Sequence, residues 1–165
     1  MKRITSILAA AALVALMSDA AMAQATATQT VNLSVSAVQL IDVSSNSITL
    51  SIDGSSAVAG TQAVGSASDN STSYSITHNA GSNLRITAAI DSDMPAGTSL
   101  TVNLANAGGN GSSAGTLTLS STAQDAVTGI GAGVVTDQTI SYTFAADATA
   151  GQFSGSRTVT LTLTN

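Results

Sequence analysis

Three sets of residues in this chain have types and spacing that could do chemistry. Gly111-Ser112-Ser113-Ala114-Gly115 is a literal G-x-S-x-G, the turn that raises a nucleophilic serine above a sheet. A serine nucleophile needs a base to take its proton, most often a histidine. The one histidine, His78, precedes Ser113, the reverse of the order in α/β-hydrolases. The pattern also lies in a Gly/Ser-rich loop, with no buried strand before it and no helix after it. It is read as a loop, and no enzyme is expected. Asp91 and Asp93 form a D-x-D pair that could offer oxygens to Ca²⁺, with Asp69 or Asp137 beside them if the fold allows. The same residues, followed by Met94-Pro95-Ala96-Gly97, are also a plain turn sequence, and the turn is the favoured reading. A lone His78 with no cysteine in the chain cannot build a zinc site. Neither a metal nor a cofactor is expected.

The elements that would position such residues begin after an export signal. Lys2 and Arg3 precede an apolar run from Ile7 to Met17, and Ala21-Met22-Ala23 places small residues where a signal peptidase reads. The run falls short of the ~20 apolar residues of a membrane span. Cleavage after Ala23 is expected, leaving 24–165 as a single domain that does not insert in a membrane. The destination is periplasmic, cell-surface or extracellular.

Past that point Arg85 and Arg157 are the only basic side chains. They stand against Asp42, Asp53, Asp69, Asp91, Asp93, Asp125, Asp137 and Asp147. Nucleic-acid binding needs cations to displace counterions from phosphates, so a nucleic-acid partner is not expected. Polarity comes instead from Ser, Thr, Asn and Gly. Threonine favours strands and the other three favour turns, which argues against helices. Disulfides are absent because the chain has no cysteine. With Tyr74, Tyr142, Phe144 and Phe153 as the only aromatics, the core must be largely aliphatic.

Alternation with a period of two marks the strands, since successive side chains point to opposite faces of a sheet. It runs through Val31, Leu33, Val35 and Ala37, through Ile48, Leu50 and Ile52, and through Tyr74, Ile76 and His78. It continues in Leu84, Ile86 and Ala88, in Leu100, Val102 and Leu104, and briefly in Leu117 and Leu119. A final hairpin carries Ile140, Tyr142 and Phe144, then Val159, Leu161 and Leu163. Gly54–Ser71 reads as a long connection with at most a weak strand in it, and Asn106–Gly115 and Ser120–Asp137 read as loops. The expected inward-facing residues are Val31, Leu33, Ile48, Leu50, Ile76, Ile86, Val102, Leu104, Leu119, Ile140, Tyr142, Phe144, Val159 and Leu161. The expected fold is all-β, an antiparallel immunoglobulin-like sandwich of about seven to nine strands.

Tyr74-Ser75-Ile76-Thr77, the stretch Leu84–Thr98 and the ending Ser156–Thr162 resemble a group of secreted bacterial β-domain proteins with no established activity. A more distant likeness is to chaperone–usher pilins and spore-coat-U-like subunits. It rests on Ala150-Gly151-Gln152-Phe153, followed by the alternating Val159 and Leu161. The chain lacks the disulfide and the next-to-last aromatic that such pilins often carry. The likeness implies a domain short of one strand, completed by the N-terminal extension of a neighbour through β-augmentation. Gln24–Ala37 is the candidate extension, with Val31, Leu33 and Val35 as the donor residues. The same residues also read as the domain's own first strand. The expected function is an exported, non-enzymatic structural or adhesive protein, a pilus-like or matrix subunit that polymerises with itself or binds a surface partner. The alternative is a self-contained module that binds a glycan, Ca²⁺ or a protein. A secreted hydrolase ranks last.

Overall fold

The fold was analysed in a computed structural model that describes residues 26–165. The signal-peptide expectation falls on residues outside that range. Among the described residues there is no helix, in keeping with the abundance of Thr, Ser, Asn and Gly. Nine strands form among the described residues, in chain order β1 Gln39–Val43, β2 Ala63–His78, β3 Leu84–Ile90, β4 Thr98–Leu104, β5 Ser112–Ser113, β6 Leu117–Thr118, β7 Gln124–Ile130, β8 Gly133–Asp147 and β9 Val159–Thr164. One sheet has the order β1-β2-β8-β4-β6 and the other β5-β7-β3-β9. Every pairing is antiparallel.

Side-chain alternation carries both sheets into one core. In β3, Leu84, Ile86, Ala88 and Ile90 are buried while Arg85, Thr87 and Ala89 face outward. In β4, Leu100, Val102 and Leu104 are buried. These join Tyr74 and Ile76 of β2, Val127 and Ile130 of β7, and Ile140 and Tyr142 of β8 in a single apolar cluster. Burying such side chains stabilises the fold by about 1.5–3 kcal/mol each. Tyr74 is the largest fully buried side chain, and its hydroxyl donates to the Ala105 carbonyl at 2.6 Å, so burial leaves no orphan polar group there. Desolvation pushes its phenol up to about 12.

Several boundaries differ from the sequence reading, each for a physical reason. Ser120–Asp137, read as a loop, contains all of β7 and the start of β8. Its period is broken because Ala126 and Val127 are both buried, opposite register shifts in β3. Gly54–Ser71, read as a connection, contributes the first half of the 16-residue β2. Gly65, Ser66, Ala67 and Ser68 offer no apolar contrast to alternate, yet they pair with the Thr143–Ala146 stretch of β8. Conversely, Ile48, Leu50 and Ile52 join no strand, although Ile48 and Leu50 lean on the core. Val31, Leu33 and Val35 also lie outside any strand, and the first strand to pair is Gln39–Val43. Val31 and Leu33, expected to face inward, are 66% and 88% exposed. Of the other expected inward residues, Phe144, Val159 and Leu161 are only partly buried, and so are Ile48 and Leu50.

One glycine is required by its turn. Gly97 has φ +77°, and a Cβ there would lie 2.4 Å from the backbone nitrogen of Ala150. Its carbonyl accepts the Asp147 amide at 2.8 Å, which ties the β3–β4 connection to the end of β8.

Candidate functional site

The residues singled out for chemistry lie apart in function. Ser113, in the two-residue β5, receives no imidazole. Its amide donates to Asn106 Oδ1 at 2.7 Å, and its Oγ pairs with Asn103 Oδ1 at 3.3 Å and accepts the Gly115 amide at 3.0 Å. These bonds brace a loop and supply no base. His78 is 3% exposed at the end of β2, opposite Gln39 on one side and Gly133 on the other. Neither of its ring nitrogens has a hydrogen-bond partner among the described residues. Asp93 uses Oδ1 to accept the Ser121 amide at 2.6 Å, and that bond holds its carboxyl below the usual range. Its carbonyl accepts Arg157 Nη2 at 3.0 Å. The Asp91 amide donates to the Thr158 carbonyl at 3.1 Å. Both aspartates therefore fasten the turn after β3 to its neighbours. Among the described residues no three acidic, histidine or cysteine side chains gather as a metal site would need.

The feature with binding capacity is a groove of about 900 Å³. One wall is the stretch Ile41–Leu50, which leaves β1 and runs on without a strand partner. The other wall is Gly155–Leu161, the approach to β9 and its first residues. Leu100 of β4 and Ile140, Tyr142 and Phe144 of β8 form the floor, with Thr72 of β2 and Met94. At one end Phe153 packs against Phe144 with ring centroids 6.3 Å apart, and the Arg157 guanidinium lies 5.8 Å from the Phe153 centroid.

This opening exists because both walls end their hydrogen-bonded networks there. β9 is the last strand of its sheet and pairs only with β3. Along the opposite wall, no backbone group from Ser45 to Asp53 bonds to another backbone group among the described residues. Ser47 bonds Ser45 Oγ through both its amide and its carbonyl, and the Ser156 and Thr158 carbonyls accept from Arg157 and Asp91. Apart from these, the two walls border the apolar floor with backbone groups left unpaired among the described residues, as an added strand needs. Two polar atoms along the groove are buried and unpartnered: Thr72 Oγ1, in a residue only 5% exposed, and Arg157 Nε. Orphans of this kind are rare in a completed interior.

Sequence reasoning named Leu161, Ile140, Tyr142 and Phe144 as inward-facing but did not find the groove. Alternation signals a buried face, and a face turned toward an unfilled gap produces the same signal. Arg157, Thr72 and Met94 carried no sequence signal that would place them on it. Comparison with known proteins adds no relative: no protein-family model, no curated protein and no solved structure matches this chain.

Proposed function

We propose that this chain is an exported, non-enzymatic structural or adhesive protein, a pilus-like or matrix subunit built as an immunoglobulin-like sandwich that is one strand short. The observation that carries this reading is the groove between Ile41–Leu50 and Gly155–Leu161, with free backbone edges on both sides and an apolar floor. A small-molecule site would concentrate polar groups at a few points, whereas here they run along the two walls as a strand would meet them. The exported location rests on Lys2-Arg3, the apolar run after them and Ala21-Met22-Ala23. The lack of a catalytic role rests on Ser113, whose hydroxyl is engaged with Asn103 and Gly115 rather than with a base.

The test is to express the chain with its own leader and analyse the exported protein by N-terminal mass spectrometry, size-exclusion chromatography and electron microscopy. The expected result is a chain starting at Gln24 that forms oligomers or filaments resistant to mild denaturant. A strictly monomeric, heat-stable protein with the Leu161 amide protected from hydrogen exchange would refute the missing strand. It would leave the self-contained binding module as the reading. Hydrolysis of any panel substrate that disappears in Ser113→Ala would refute the non-enzymatic role.

A further inference from the structure

We propose that Asn110-Gly111 is a self-modifying site, at which the Gly111 amide nitrogen displaces ammonia from the Asn110 side chain and water opens the resulting ring to aspartate or isoaspartate. The pair lies in the loop after β4, at the head of the G-x-S-x-G pattern that no catalytic base attends, and it owes nothing to the groove.

The sequence holds one Asn-Gly pair, and it is this one. Ring closure needs a main-chain amide nitrogen that can reach the carbonyl carbon of the preceding asparagine side chain. Glycine has no Cβ to obstruct that approach, and its backbone turns into it freely. Both reacting groups are unengaged. Asn110 is exposed and its side chain makes no hydrogen bond among the described residues, whereas those of Asn79 and Asn106 accept the amides of Val38 and Ser113. The Gly111 amide donates to no carbonyl among the described residues. The rotation that brings the two groups together releases one bond, from the Gly131 amide to the Asn110 carbonyl at 3.2 Å.

In the first step the Gly111 nitrogen gives its proton to solvent base and bonds to Asn110 Cγ. The bond from Cγ to the side-chain nitrogen breaks, and ammonia leaves. Water then cleaves either carbonyl of the ring. One cleavage gives aspartate at position 110, and the other gives isoaspartate, whose main chain runs through Cγ. Asp53-Gly54 has a matching backbone and supplies the contrast. Asp53 Oδ1 accepts the Ser55 amide at 2.9 Å, and that bond holds the carboxyl below its usual range. The group stays ionised, and a carboxylate is a far poorer electrophile than an amide.

The product alters the loop in two ways. A carboxylate appears in Ala105–Gly115, which carries no charged side chain. Isoaspartate also lengthens the main chain by one methylene just ahead of Gly111, where the fit is close. A Cβ at Gly111 would lie 3.1 Å from the Thr128 carbonyl oxygen and 3.2 Å from side-chain carbons of Ile130 and Val127. β5 is the edge strand of its sheet, two residues long, with Ser112 opposite Thr128 and Ser113 opposite Val127. So short a pairing resists little. The isoaspartyl form therefore releases β5 from β7 and frees the Ala114 amide from the Ala126 carbonyl, a 2.9 Å bond in the parent.

The purified chain is incubated at mildly alkaline pH, folded and in urea, and followed by peptide mapping with an isoaspartyl methyltransferase assay. Aspartate and isoaspartate should accumulate at position 110 of the folded chain no more than about tenfold slower than in urea, the factor that one net hydrogen bond can impose. Asn110→Gln, a change at an exposed side chain that would demand a six-membered ring, should stay unmodified there, and so should Asp53 in the folded parent. Hydrogen exchange at the Ala114 amide should quicken in the isolated isoaspartyl form. A larger slowing on folding, or isoaspartate forming first at Asp53, would overturn the site. Equal Ala114 protection in the parent and the isoaspartyl form would overturn the release of β5.

Discussion

Leu161→Ala and Leu104→Ala remove the same atoms from two different surroundings, and the difference measures whether the groove is open. Leu104 is 1% exposed in the middle of the core. Its truncation leaves an enclosed cavity and should cost about 2–5 kcal/mol. Leu161 is half-buried and has one side on the groove. In a dilute monomer its truncation forfeits only part of a leucine's transfer free energy and encloses no new cavity, so the loss should be about 1 kcal/mol. With a urea slope near 2 kcal/mol/M, the unfolding midpoint should fall by ~1–2.5 M for Leu104→Ala and ~0.5 M for Leu161→Ala. Thr160→Ala, on the outward face of β9, should change stability by less than about 0.5 kcal/mol. The assay is equilibrium urea unfolding followed by circular dichroism, at a concentration where size-exclusion shows monomer. Equal losses at Leu104 and Leu161 would mean that the groove is already filled within one chain, and the case for a missing strand would collapse. If assembly then restores full burial, the assembled form should lose far more from Leu161→Ala than the monomer does.

Gly97→Ala should destabilise by about 2 kcal/mol or more, because a Cβ there meets the Ala150 nitrogen at a φ that alanine disfavours; a Tm unchanged from the parent would contradict the turn geometry. Asp53, Asp93 and Asp147 have carboxyls held below their usual range by hydrogen bonds from Ser55, Ser121 and Thr149 respectively. Depressed folded values contribute stability that is present above the unfolded carboxylate pKa and lost as pH falls through the folded values. Tm should therefore be level near neutrality and drop below about pH 4, and Asp93→Asn should flatten part of that drop. At the alkaline end Tyr74, raised to about 12, contributes stability that is full below the unfolded phenol value and lost as pH climbs toward 12. Burial raises Tyr142 as well, so phenolate absorbance should show both tyrosines titrating late, and Tyr74→Phe should lose the component at about 12. A parent titrating wholly at about pH 10 would refute the burial of Tyr74.

The alternation of Leu84, Ile86 and Ala88, of Leu100, Val102 and Leu104, and of Val159, Leu161 and Leu163 was legible in the sequence by itself. So was the all-β character, because side-chain period is a local property of the chain. The tertiary structure alone decided which strands pair. It placed Gly65–Ser68 in β2 through bonds to β8, because backbone pairing needs no apolar side chain. It hid β7 behind the adjacent burial of Ala126 and Val127. It left Ile48–Ile52 and Val31–Val35 without partners although both alternate as strands do. A period of two reports which side chains share a face. The partner that covers the face is set by contacts distant in sequence.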